Sequence, residues 1–169
     1  KNFDKISKDI QDVFGQNILI VGLGEIGLKI AKTCQALNMK IFSVKKNKKK
    51  IPSFIKKNYQ LHNLIDAVKN KDYVVSLLPL TNETKEIFNK RIFNAMKKNS
   101  IFINVGRGGT VNEKDLVNIL RRKKILGAGL DVVSKEPIES NSPFLKMKNV
   151  IVTPHIAGVT NKYWNDQIL

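Results

Sequence analysis

Asn17-Ile18-Leu19-Ile20-Val21 runs directly into Gly22-Leu23-Gly24-Glu25-Ile26-Gly27, and Leu28 to Leu37 then reads as a helix. The first five residues are an apolar, β-branched run bounded by Gly15-Gln16 and Gly22, the pattern of a strand buried on both faces of a parallel sheet. Strand, glycine turn and helix in that order are the context in which three glycines at this spacing bind a dinucleotide. Gly22 permits the tight turn, Gly24 lets a pyrophosphate approach a backbone without a Cβ, and Gly27 lets helix and strand pack closely. The amides of Glu25 and Ile26 would face the phosphates from the helix N-terminus, where the macrodipole favours anions. The stretch therefore predicts an α/β fold, a doubly wound parallel sheet, with a dinucleotide across its edge.

Working outward, Met39 to Val44 is a second strand. About 20 residues past the glycines an acidic side chain would accept from a ribose 2′-hydroxyl. Val44-Lys45-Lys46 stands there instead, followed by Asn47-Lys48-Lys49-Lys50. Lysines attract a 2′-phosphate that a carboxylate would repel. Lys45 and Lys46 thus form a candidate 2′-phosphate socket, and NADP(H) is favoured over NAD(H); the bland alternative is a solvated basic loop. Upstream, Phe3, Ile6, Ile10, Val13 and Phe14 recur at helical spacing. Downstream, a brief edge strand is expected at Asn58–Gln60, helices over 61–68, 88–96 and from the N-cap Asn112 to Arg122, and strands over 72–78, 100–105, 125–131 and 150–152. The loop Pro79–Thr84 lies at a strand's carboxyl end, where open α/β sheets bind ligands.

At 169 residues and 42% hydrophobic content the chain is one domain's worth of ordinary globular sequence. No apolar run approaches the roughly 20 residues that span a bilayer. Residues 1–14 lack the apolar centre of a secretory signal, and the single cysteine, Cys34, fits a reducing cytoplasm; it reads as a buried filler. His62 has no second ligand at metal spacing and reads as a surface or packing residue; no metal site is expected. The net charge of +16 invites a nucleic-acid reading. Against it, the basic residues are mostly lysine and scattered, whereas base and phosphate readers favour clustered arginine. No specific nucleic-acid or membrane partner is expected.

Three landmarks lie past successive strand ends: Asn104-Val105-Gly106-Arg107-Gly108-Gly109, Asp131-Val132-Val133-Ser134-Lys135-Glu136-Pro137 and Thr153-Pro154-His155-Ile156-Ala157-Gly158. Arg107, Glu136 and His155 give a planar cation, a carboxylate and an imidazole, the groups that a carbonyl-reducing site needs. With Leu78-Pro79-Leu80-Thr81-Asn82-Glu83-Thr84 and Val111-Asn112-Glu113, these motifs from Gly22 to about Trp164 resemble the cofactor-binding domain of the D-isomer-specific 2-hydroxyacid dehydrogenases, a Rossmann fold. The resemblance implies that Arg107 clamps a 2-oxo acid's carboxylate and polarises its carbonyl, and that His155 is the general acid/base. Glu136 would orient His155 and favour its imidazolium. Asp131 would meet the nicotinamide end, Leu78, Pro79 and Thr84 the adenosine side, and Val105, Gly106, Ala157 and Gly158 the nicotinamide ribose and carboxamide.

Two departures from the family follow. Lys45 replaces the acidic ribose residue, and about half of a family member is absent. Residues 1–169 are accordingly expected to be a dinucleotide-binding domain, a fragment lacking the substrate-binding domain and weak or inactive alone. The function implied is NAD(P)-dependent interconversion of a small 2-oxo acid and a D-2-hydroxy acid, in a homodimer. A non-catalytic, dinucleotide-sensing interaction module of the corepressor type is the alternative.

Overall fold

The structure, a computed structural model, describes residues 12–45 and 51–159. The helix expected at the start of the chain, apart from residues 12–14, and Lys46 lie outside the described residues. Seven strands form one wholly parallel sheet: β1 Asn17–Val21, β2 Lys40–Val44, β3 Ile55–Tyr59, β4 Tyr73–Ser76, β5 Ile101–Asn104, β6 Gly127–Leu130 and β7 Val150–Val152. Their order is β3-β2-β1-β4-β5-β6-β7. The chain winds outward from β1 in one direction, returns to β4 on its other side, and winds outward again. The switch point between β1 and β4 is where such sheets open a ligand crevice at their carboxyl ends.

Among the described residues four α-helices accompany the strands: α1 Glu25–Ala36, α2 Leu64–Ala67, α3 Lys90–Ala95 and α4 Glu113–Arg121. Alternation along β1 explains the layering, because successive strand side chains face opposite sides. Leu19 and Val21 join a core with Val74, Phe102 and the buried faces of α2, α3 and α4. Ile18 and Ile20 join Ile41, Val75 and Ala31 of α1 on the other face. Phe88, Phe93 and Phe102 fill the larger core with centroids 4.9–6.4 Å apart, and burying each ring contributes roughly 1.5–3 kcal/mol.

Strand ends differ from expectation by a residue or two, and four larger differences have a structural cause. α1 begins at Glu25 rather than Leu28, because Gly24 is extended (φ −85, ψ −158) and serves as N-cap. β3 spans the whole of Ile55–Tyr59, although Lys56 and Lys57 are exposed, as an edge strand allows. Residues 61–67 split into a 3-10 turn, Leu61–Asn63, and the short α2. Phe88 is not helical: it bridges Val111, and Asn89 caps α3 by accepting from the amides of Arg91 and Ile92. Asn112 caps α4 as expected, accepting from Asp115 N at 3.0 Å. No helix among the described residues is long and apolar enough to cross a membrane.

Candidate active site

The glycine turn is built by close approach. Gly22 has φ +107, and a Cβ on Gly27 would lie 2.4 Å from the Gly22 carbonyl oxygen. Helix α1 is thereby pressed against the end of β1. Gly24 is different: a Cβ there would meet nothing within 4 Å. The space above it is open, and no side chain caps the first turn of α1, so its amides are free to receive an anion. Glu25 contributes an exposed carboxylate beside that turn, where water screens it.

A cleft of about 840 Å³ opens over this turn at the switch point. Of the residues singled out in the sequence, Gly22, Gly24, Glu25, Ile26, Gly27, Lys45, Leu78, Pro79, Thr84, Val105, Gly106 and Arg107 all line it. Thr81 and Glu83 of the expected Pro79–Thr84 loop line it too, as do Leu23, Val44, Leu61 and Leu77, which were not singled out. Most sit within a residue or two of a strand's carboxyl end, which was the signal available for finding them. Lys45, at the end of β2, is the described part of the basic run, and its peptide oxygen accepts from Asn58 and Gln60 side chains at 3.4 Å. Thr84 is buried, and its hydroxyl closes the loop by donating to Pro79 O at 2.6 Å while accepting from Thr81 N at 2.8 Å. Open glycine backbone, uncapped amides and apolar walls together fit a dinucleotide.

Arg107 lies three residues past β5. Its side chain is exposed, and Nη1 donates to Gly106 O at 2.8 Å. Among the described residues no carboxylate pairs with it, which leaves the rest of its donor fork for a ligand anion. An ordinary Arg107–Glu136 ion pair is therefore not formed. Glu136 instead holds His155: Oε2 stands 2.7 Å from Nδ1 of the imidazole, and Oε1 accepts from Val133 N at 3.2 Å. With Nδ1 occupied by the carboxylate, Nε2 is the ring nitrogen left to exchange a proton. Both side chains remain partly open to solvent, at 48% for His155 and 37% for Glu136.

The turn that presents His155 is strained and firmly tied. His155 has φ 55, a left-handed conformation that costs a residue with a Cβ roughly 1–3 kcal/mol. Its amide donates to Asp131 O at 2.9 Å and to Thr153 O at 3.0 Å. The buried Asp131 carboxylate accepts from Thr153 Oγ1 at 2.6 Å, Ile156 N at 2.9 Å and Ala157 N at 3.0 Å. Burial pushes the Asp131 carboxyl up, but those three donors and the nearby His155 outweigh it and hold the group below the usual carboxylate range. Asp131 thus secures the backbone on both sides of His155. Asp131 and Ala157 border a smaller cleft of about 320 Å³ beside β6 and β7, rather than the main one; Gly158 is exposed and lines neither.

Arg107, Asp131 and His155 follow β5, β6 and β7, which are adjacent and in register at Asn104, Leu130 and Val152. All three therefore emerge from one edge of the sheet, on strands about 4.8 Å apart. Elsewhere, His62 is exposed in its 3-10 turn, and Cys34 is half-buried, with burial pushing its thiol up. Among the described residues no group of three His, Cys, Asp or Glu could hold a metal.

The sequence model of the NAD-binding domain of D-isomer specific 2-hydroxyacid dehydrogenases matches residues 1–157. The chain belongs to this family. It is 40% identical over 154 residues to glyoxylate/hydroxypyruvate reductase B of Enterobacter sp. (strain 638), covering 89% of this chain and 47% of that protein. Glyoxylate reductase of Pyrococcus horikoshii is 39% identical over 149 residues, covering 88% and 44%. Among solved structures, the NADPH-dependent glyoxylate/hydroxypyruvate reductase of Sinorhizobium meliloti, in complex with NADP and sulfate, superposes with TM-score 0.84 at 28% identity. That match covers 96% of this chain and 55% of the other. The chain spans about half the length of the curated relatives it matches.

Proposed function

We infer that the protein containing this domain reduces small 2-oxo acids to D-2-hydroxy acids, with NADPH preferred over NADH. The observation that carries the reading is the 2.7 Å contact between Glu136 and His155, held on the same sheet edge as Arg107 and the open glycine turn. A bound nicotinamide would supply the hydride. Arg107 would take the substrate carboxylate in a bidentate grip and draw charge onto the carbonyl oxygen. His155 would give its Nε2 proton to that oxygen as the C2–H bond forms, leaving a neutral imidazole that solvent reprotonates. Glu136 would stabilise the imidazolium before transfer and keep Nε2 aimed outward. In the reverse direction His155 would remove the hydroxyl proton.

Support for the substrate class comes from the glyoxylate and hydroxypyruvate reductases named above. The preference for NADPH rests on Lys45 at the cleft beside β2 and on the NADP complex of the S. meliloti relative. Homodimerisation is part of the same reading, and light-scattering mass of the full-length protein tests it. The decisive experiment assays full-length protein with NADPH and NADH against glyoxylate, hydroxypyruvate and longer 2-oxo acids, following loss of reduced cofactor. Saturable NADPH-dependent turnover of at least one is expected. Tight cofactor binding with no turnover of any 2-oxo acid would overturn the enzymatic reading and favour an interaction module.

A further inference from the structure

The segment after β6 that carries Glu136 is held at its start by Asp131 N, which donates to Asn104 O at 3.0 Å. From Val132 to Glu136, among the described residues, one hydrogen bond ties this loop to a helix: Ser134 N donates to Glu113 Oε1 at 2.7 Å. Glu113 is the first residue of α4, half-buried, and it sits on a fixed foundation. Asn112 caps the helix, Asn112 N donates to Phe88 O at 2.9 Å, and Asp115 Oδ2 accepts from Lys90 N of α3 at 2.8 Å. The same stretch grips the loop a second time. A Cβ on Gly108 would lie 1.9 Å from the Val133 carbonyl carbon, so the turn carrying Arg107 is pressed onto the peptide next to Ser134. Val133 N in turn donates to Glu136 Oε1 at 3.2 Å, and Glu136 Oε2 holds His155.

We propose that Glu113 is a positioning residue for the Glu136–His155 pair, acting through the Ser134 amide and setting the pair's distance from Arg107. This rests on the reading of the pair given above. A carboxylate accepting a backbone amide makes a short, strong bond, and here it fixes a peptide two residues from Glu136. Without it the loop keeps its contact with Gly108 but loses the tether that stops it from lifting off. Displacement of the proton-transfer group by a fraction of an ångström to about 1 Å is expected to slow turnover about tenfold to a hundredfold.

The test uses full-length protein carrying Glu113→Ala, Glu113→Gln and Glu113→Asp, with Glu136→Gln alone and combined with Glu113→Ala. Glu113→Gln keeps an acceptor of the same reach and should recover most of the activity. Glu113→Asp keeps the charge at the helix start but is one methylene short, and should behave like Glu113→Ala even if the alanine variant folds poorly. The first readout is the ring ¹⁵N resonance of His155, assigned by His155→Gln; Glu113→Ala and Glu113→Asp should move it, and Glu113→Gln should not. The second is steady-state kinetics, where kcat should fall while cofactor affinity holds. Added to Glu136→Gln, Glu113→Ala should cost less than about twofold, because the two act in series. Wild-type resonance and kcat in both Glu113→Ala and Glu113→Asp, or an undiminished cost on the Glu136→Gln background, would overturn the proposal. If the wild-type enzyme turns over no 2-oxo acid, the functional reading fails, and the ring resonance still decides the role of Glu113.

Discussion

Replacing Gly27 with Ala and Gly24 with Ala should separate what the glycine turn does for the fold from what it does for a ligand. A Cβ at Gly27 would sit 2.4 Å from the Gly22 carbonyl oxygen and 3.2 Å from Ile20 Cγ2. The oxygen cannot swing away as a side chain would. Gly22 has little room to retreat, because a Cβ on it would already lie 3.0 Å from the Leu77 backbone, and its amide is tied to β2, 3.0 Å from Val44 O. Relief requires α1 and the end of β1 to part by about 0.6 Å or more, an overpacking near the upper end of about 1–3 kcal/mol. Alanine recovers about 1 kcal/mol of helix propensity, so the net loss is about 2 kcal/mol. For a domain of this size that lowers the melting temperature by roughly 4–8 °C. It also displaces the uncapped amides of Glu25 and Ile26, and NADPH affinity should fall at least about tenfold. Gly24→Ala meets nothing within 4 Å, so its melting temperature should stay within about 1 °C of wild type while NADPH affinity falls similarly. Thermal melts by circular dichroism and titration with NADPH measure both. Equal stability of the two variants, or unchanged affinity in Gly24→Ala, would refute the division.

Further expectations concern charge. Asp131→Asn turns one oxygen into an NH₂ that faces a backbone donor; the lost charged hydrogen bond costs about 1.5–3 kcal/mol, and amide exchange at Ile156 and Ala157 should quicken. Because the folded Asp131 carboxyl lies below its ordinary value of about 3.9, its contribution is present above that pH and is lost as pH falls further through the folded value. Wild-type melting temperature should therefore drop more steeply below about pH 4 than that of Asp131→Asn. Lys45→Glu should weaken NADPH about tenfold or more and spare NADH, read by titration with each cofactor. In the full-length enzyme His155→Gln should lower kcat at least about a hundredfold with NADPH affinity retained, and Arg107→Ala should raise KM for the 2-oxo acid and lower kcat together.

The parallel sheet was legible because buried strands read as near-continuous apolar runs, and six of seven announce themselves in that way. β3 was recognised only at its end, since Ile55-Lys56-Lys57-Asn58-Tyr59 pairs with β2 along one edge and leaves its lysines to water. Lys57 rests its ammonium 4.8 Å from the Tyr59 ring centroid, a packing role that composition alone does not reveal. Two helix starts differ from the periodic pattern because an extended residue supplies the cap. Gly24 and Asn89 are such residues, and apolar periodicity is blind to them because it continues through the cap. Pro143–Lys146, a 3-10 turn that buries Phe144, follows a run too polar to suggest an element.

The site was legible in a different way, through strand ends rather than periodicity. Knowing where β1, β2, β4 and β5 stop was enough to gather most of the residues that line the main cleft. What no strand end announces is how a side chain will be partnered. Asp131 draws donors from Thr153, Ile156 and Ala157, more than 20 residues downstream, and no local pattern ties it to them. That partnering answers a physical need of the His155 turn. A left-handed histidine is unfavourable by roughly 1–3 kcal/mol and would relax if its neighbours were free. Hydrogen bonds to a buried carboxylate contribute about 1.5–3 kcal/mol apiece, so the three at Asp131 outweigh the strain. The turn can then hold His155 against Glu136 in a conformation it would otherwise leave.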